Sequence, residues 1–332
     1  MPGGPRQLGL FGPSPEEAAA EAQEQAASTE RRALTQLASS LPSTLRFGTS
    51  SWTFRGWQGL VYRERYANEK RFVRDSLAEY ARYPLFRTVG VDRSYYAPVP
   101  QEELARWGAQ LPSDFQFVMK VWSEITAHSF PSHARYAERA GQKNPSFFDP
   151  DAFAHHVADP VRRALGRKVG AFVLEIPPSE RLPERSEFER KLSAFFERAP
   201  RDVPLSVELR DRRLLSARYF DLLRAHGVAH VFNYWSRMPS VGEQLELAGG
   251  LHGPVVVCRL LLPTGARYAD LRERWAPFDR IVEPAPQMRA DVLRLVRAAA
   301  EQATPTFVIV NNKAEGSSPL TIRALATLLA GG

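Results

Sequence analysis

The residues best equipped for chemistry stand at the ends of short apolar runs. TVGVD ends in Asp92, FVMK ends in Lys120, FVLEI carries Glu175, SVELR carries Glu208 and Arg210, VVVCRL carries Arg259, and TFVIVNN closes on Asn311 and Asn312. In an extended chain successive side chains alternate between faces. With Val207 and Leu209 turned to one face, Glu208 and Arg210 turn to the other, and the same parity sets Val89 and Val91 against Asp92. Acids, bases and a carboxamide would then converge at one end of a set of strands. Two outcomes are open to such a group. Asp92, Glu208, Lys120, Arg210 and Arg259 can neutralise one another and plug the space, because charges buried without partners are costly. Alternatively they form a ligand site. Arg210 and Arg259 would clamp a phosphate or carboxylate, Glu208 or Asp92 would act as general base or acid, and Lys120 would meet developing negative charge.

Other side chains sort around that set. His128, in SEITAH, is the histidine placed at the same end, and no HxH or HExxH spacing supplies a metal site. A divalent ion on Asp92 and Glu208 is a further option, and the cofactor is otherwise unknown. Trp52, Trp57, Tyr95, Tyr96 and Trp122 follow strand ends, where they can stack a sugar or base or pack loops together. Ser50 and Ser51 lack the GxSxG setting of a nucleophilic serine.

The elements that must position these residues alternate in type. Strand-like runs occupy 45–50, 87–92, 115–121, 169–176, 204–209, 228–234, 254–260 and 306–311, and amphipathic helical patterns lie between them at 70–83, 100–111, 149–165, 185–199, 216–227, 241–250 and 288–303, with a last one at 320–330. Alternation of this kind implies right-handed crossovers and a parallel sheet. Eight such units, with no GxGxxG turn after the first strand, predict an α/β fold of the (β/α)₈ TIM-barrel type. Active residues of that fold sit at the C-terminal ends of its strands, where the charged set stands.

Ahead of the barrel, residues 1–15 are rich in Pro and Gly and read as a disordered tail, and 16–42 read as a helical linker to a barrel over 43–332. Of the 332 residues, 44% are hydrophobic and 24% charged, which suits a folded chain with a sizeable core. No apolar run is long enough to span a membrane and no secretory leader is evident, so a cytoplasmic location is expected. A single cysteine, Cys258 in an apolar run, excludes an internal disulfide and reads as core. The net charge of +7 favours anionic partners, nucleic acid among them, although the arginines are scattered rather than clustered.

The tail contains QLGLF, in which Gln7, Leu8, Leu10 and Phe11 match the short linear motif by which bacterial repair and replication proteins dock on the DNA sliding clamp. Leu10 and Phe11 suit an apolar pocket, Leu8 can pack beside them and Gln7 can hydrogen-bond at its rim. Folding back onto the barrel is the competing use of the same residues.

Taken in order, FGTSSW (47–52), GW (56–57), TVGVDRSYY (88–96), FQFVMKVWSEITAH (115–128), LEIPPS (174–179), SVELRD (206–211), CRL (258–260) and VNNKAEG (310–316) resemble the YecE-like family, domain of unknown function seventy-two. The resemblance implies a TIM barrel from about Leu45 to Leu329 and no established activity. Positions typical of the family include Gly48, Ser50, Trp52, Tyr96, Lys120, His128, Glu208, Arg210, Arg259, Asn311 and Asn312. The chain departs from that pattern at Gly90, Asp92, Glu175 and Asp211, as a divergent member would. The functional expectation is therefore an enzyme, a hydrolase or lyase, acting on an anionic or phosphorylated small molecule at the barrel mouth. A clamp-tethered protein of DNA repair or nucleic-acid processing, and a non-catalytic ligand-binding barrel, are the alternatives.

Overall fold

The computed structural model describes residues 15–130, 134–179 and 182–331. Eight strands appear where the apolar runs predict them: β1 Leu45–Thr49, β2 Thr88–Val91, β3 Gln116–Lys120, β4 Val169–Ile176, β5 Leu205–Leu209, β6 Ala229–Tyr234, β7 Val256–Leu260 and β8 Thr306–Val310. Every pair of sequence neighbours from β2 to β8 is parallel, and β8 pairs in parallel with β1. The remaining seam, between β1 and β2, carries one bridge from Phe47 to Phe86, with Arg87 N donating to Phe47 O at 2.9 Å. Tyr80 reinforces it: its buried hydroxyl accepts from Thr49 N at 2.9 Å and donates to Thr88 O at 3.2 Å. Gly48 is required at this seam, since a Cβ there would lie 2.0 Å from Thr88 O. The strands thus form a nearly closed (β/α)₈ barrel.

Strand parity divides the core in two. Val89, Val91, Met119, Leu174, Val207, Leu209, Cys258 and Leu260 face outward and pack with the helices. Val118, Ala171, Val173, Ala229, Val231, Val257, Phe307 and Ile309 fill the barrel interior. Small and β-branched side chains dominate inside because the interior of an eight-stranded barrel has room for little more. The next inward positions toward the strand C-termini are the charged ones.

The helical patterns appear with three differences. The run 70–83 forms two helices, Glu69–Asp75 and Leu77–Tyr80. The run 149–165 contains a π-helical turn, Ala154–Ala158, that leaves His155 and His156 exposed. Between β7 and the helix Pro286–Glu301 the chain forms a helix that the sequence patterns do not reveal, Tyr268–Trp275. Trp275 and Leu271 of that helix join Leu261, Leu262 and Phe278 in a small separate core against Phe54 and Trp235.

A helix, Pro15–Ser39, precedes β1. Its C-terminal half is docked through Leu34, Leu37 and Ala38, and by a 2.8 Å pair between Glu30 and Arg323. Residues 17–19 and 21–26 are exposed. Gln7, Leu8, Leu10 and Phe11 lie outside the described residues.

Candidate functional site

The charged residues predicted at the strand ends meet in one network. Asp92 follows β2, Lys120 ends β3, Glu175 lies in β4, Glu208 in β5, Arg210 just beyond it and Arg259 in β7. Lys120 Nζ lies 2.7 Å from Glu175 Oε2 and 3.4 Å from Asp92 Oδ1. Arg259 reaches across the barrel, with Nη2 2.6 Å from Asp92 Oδ1 and Nη1 2.7 Å from Glu208 Oε2. Arg210 Nη2 donates to Glu175 Oε2 at 2.8 Å, and its Nε lies 2.9 Å from Glu208 Oε1. Three cations and three carboxylates balance.

Burial alone would push the Glu175 carboxyl up, but Arg210, Lys120 and Arg259 outweigh it and hold the group well below the usual carboxylate range. Burial likewise works against the Arg259 charge, and Asp92, Glu208 and Glu175 overcome it, leaving the guanidinium more firmly protonated than usual. Glu208 is fully enclosed, and Asn233 Nδ2 completes its shell at 3.4 Å while donating to Leu209 O at 2.8 Å. Asp92 differs: 32% of its side-chain surface is open. Tyr95 lies beneath the Lys120 ammonium at 5.3 Å, and the Trp235 ring covers the Arg210 guanidinium at 4.3 Å.

The β2 side of the network is closely packed around Gly90, where a Cβ would lie 3.1 Å from Ile309 Cγ2. Gly90, which faces inward, contributes no side chain there, and a Cβ on it would lie 3.2 Å from Ser50 Cα. The Ser50 hydroxyl is buried without a hydrogen-bond partner. Asn311 is half-buried, with its side-chain oxygen Oδ1 accepting from Lys313 N at 3.1 Å.

The remaining predicted residues are placed as follows. Asn312 is turned to structural use: its side-chain oxygen accepts from Trp57 Nε1, Ser318 N and Ser318 Oγ, tying the β1 loop to the helix Ser318–Ala330. Trp52 is 2% exposed and edge-on to Trp107, so it serves the core rather than a ligand. Its parity with Gly48 and Ser50 would put it inward, but the chain leaves the extended conformation after Thr49. Tyr96 is 53% exposed beside the mouth, and His128 lies edge-on to Phe147. Asp92 and Glu208, the pair offered for a divalent ion, are bridged by the Arg259 guanidinium, which takes the position between them. Among the described residues no group of three or more His, Cys, Asp or Glu could hold a metal. Cys258 is a free, buried thiol pushed up by its burial, as its apolar run predicts.

Asn233 is the residue that sequence reasoning missed. Ala229 and Val231 face inward, so the same parity was available to place it. It joins the network to a second polar chain: Gln244 Nε2 donates to Asn233 O at 2.7 Å, and Gln244 Oε1 lies 3.2 Å from His230 Nε2.

These features define a TIM barrel whose mouth is filled by a neutral, charged centre. The chain belongs to the family described as "Protein of unknown function DUF72", which matches residues 46–332. Among solved structures it is similar to a DUF72 family protein from Enterococcus faecalis V583, at 17% identity and a TM-score of 0.53, covering 86% of this chain and 96% of that one. It is also similar to a DUF72 family protein from Thermotoga maritima MSB8, at 17% identity and a TM-score of 0.56, covering 87% and 99% of the two chains. Similarity at that level establishes the shared fold. No curated protein matches the chain. No helix among the described residues is long and apolar enough to cross a membrane.

Proposed function

We propose that the chain is an enzyme that carries out acid–base chemistry, of a hydrolytic or lyase type, on an anionic small molecule at the barrel mouth. The observation that carries this reading is the asymmetry of the network. Two of its carboxylates are enclosed by cations, and the third, Asp92, stays open to solvent. Asp92 is the base within reach of a substrate, and Lys120, between Asp92 and Glu175, is the cation that faces charge developing on it. Arg210, Arg259, Glu175 and Glu208 fix the electrostatics around that pair. A purely structural plug would need fewer charges, and apolar side chains fill a barrel mouth at lower cost.

The test is a thermal-shift screen of carboxylates and phosphate esters on the full chain, followed by turnover measured by NMR on whatever binds. Asp92→Asn should lower turnover by about 10²–10⁴-fold, with the protein still folded. Lys120→Met should act in the same direction. If both variants turn over the ligand as the wild type does, the reading fails.

A second reading concerns the N-terminal segment. The barrel supplies all eight of its own strands from Leu45 onward, and residues 17–19 and 21–26 of the preceding helix are exposed. Gln7, Leu8, Leu10 and Phe11 would then serve a partner, the bacterial DNA sliding clamp, and place the barrel in DNA repair or nucleic-acid processing. Purified clamp should be retained by the full chain and lost with Leu10→Ala/Phe11→Ala. Equal retention by both proteins removes the tether.

A further inference from the structure

The two arginines in the network are committed to carboxylates, whereas two at its rim are not. A cleft of about 990 Å³ opens among the segments that follow β5, β6 and β7, and it is lined by Arg212, Arg237, Met238, Pro239 and Leu247 among others. Its acids are engaged. Asp211 is paired with Arg213 at 2.7 Å, Glu243 accepts from Ser240 N at 2.7 Å in a capping box, and Glu246 is paired with Arg294 at 3.0 Å. The side chains of Arg212 and Arg237 make no hydrogen bond or ion pair with another described residue. Both are exposed at the cleft, one from each side of the gap between the β5 and β6 loops.

We propose that this cleft is where the substrate's anionic group binds, and that the ligand is an organic phosphate of nucleotide size. The proposal rests on the reading of the mouth as an enzyme centre for an anionic molecule, and it relocates the recognition of the anion. Arg210 and Arg259 cannot clamp a new anion without giving up Glu175, Glu208 or Asp92, which would leave buried carboxylates unpaired. Arg212 and Arg237 hold no contact ion pair among the described residues, and only longer-range attraction draws them to Glu243 and Asp211. Guanidinium groups on two separate loops suit a phosphate, which offers three oxygens and up to two charges to planar donors.

The rest of the cleft indicates what carries that phosphate. Met238 is buried in its floor, and Leu247 is 57% exposed beside it, so an apolar or planar moiety would be covered there. The volume lies near the top of the range of about 300–1,000 Å³ seen for small-molecule sites. The cleft also borders the centre along the chain. Asp211 and Ser236, which line it, directly adjoin Arg210 and Trp235, and the Trp235 ring covers the Arg210 guanidinium.

Calorimetric titration of the full chain with ADP tests this, with inorganic pyrophosphate and adenosine as the two halves of the probe. ADP should bind saturably and at least tenfold more tightly than adenosine, and raising the salt should weaken it. Arg212→Ala/Arg237→Ala, at exposed positions and with an unchanged melting temperature, should weaken ADP and pyrophosphate at least tenfold. Leu247→Asp should weaken ADP more than pyrophosphate. Absence of saturable binding by either phosphate up to about 5 mM overturns the proposal, as does unchanged affinity in the arginine double variant. Affinity lost in Lys120→Met but kept in the double variant would move the anion into the mouth, overturning the cleft while leaving the enzyme reading intact.

Discussion

Glu175→Gln lowers the unfolding free energy by about 3–5 kcal/mol, the range for breaking a buried ion pair from one side. The carboxylate is the hub of the network, within 2.7 Å of Lys120, 2.8 Å of Arg210 and 3.6 Å of Arg259. Glutamine preserves its volume and one acceptor but leaves three cations facing two carboxylates in a largely buried site. Urea denaturation at neutral pH measures the loss. Lys120→Met in the same chain removes the excess charge, so the double variant should recover part of the stability, giving a favourable coupling in a double-mutant cycle. The sign of the acid response follows from the depressed Glu175 carboxyl. Its contribution is fully present above the unfolded value near 4.3 and is lost as pH falls below it, because the unfolded chain takes up the proton first. Glu175→Gln should therefore flatten the stability profile in that acid range. A midpoint unchanged from the wild type would mean that the network contributes no constraint on the fold.

That result also bears on what the sequence could reveal. Parity alone was enough to place Asp92, Lys120, Glu175, Glu208, Arg210 and Arg259 on the inner face, because each follows apolar residues that must meet the helices. Whether they pair or wait for a ligand was beyond parity, since pairing depends on reach across the barrel. Arg259 of β7 meets Asp92 after β2 because the arginine is long enough to cross the barrel, and Gly90 adds no side chain to a position already crowded by Ile309 and Ser50. The eight strands were legible because apolar β-branched runs recur between amphipathic stretches. The helix Tyr268–Trp275 was not, because YADLRERW buries only Leu271 and Trp275 and shows no apolar stripe. Asn311 and Asn312 illustrate the same limit at residue scale. One of them had to face the mouth, and only the contacts of Asn312 with Trp57 and Ser318 show which is structural.

The second large effect is a loss of about 3 kcal/mol of stability between pH 6.5 and pH 4, carried by His230. Burial pushes this imidazole down to about 4 from its ordinary 6.5, against a smaller opposing contribution from its hydrogen bond with Gln244. Its neighbours are Tyr219, whose hydroxyl lies 3.0 Å from Nδ1, Gln244 at 3.2 Å from Nε2, and the rings of Phe220 and Phe232. Gln244 Nε2 donates to Asn233 O and Pro239 O, which fixes Gln244 Oε1 as the acceptor, so Nε2 of His230 carries the proton and Nδ1 accepts from Tyr219. A second proton on Nδ1 would face the tyrosine hydroxyl and force it to reverse. The stabilisation is complete above pH 6.5, declines as the unfolded chain protonates and the folded one does not, and levels off below pH 4. Unfolding free energies at intervals across that range should show the slope in the wild type and lose it in His230→Gln. The Glu175 contribution falls away only at lower pH, so the two losses are separable in one titration. Because Gln244 also holds Asn233, and Asn233 donates to Glu208, the early loss is expected to loosen the charged centre before its own carboxylates titrate. A wild-type profile flat from pH 6.5 to 4 would show that His230 accepts its proton in the fold as readily as in the unfolded chain, and the chain of hydrogen bonds to Glu208 would then carry no proton linkage.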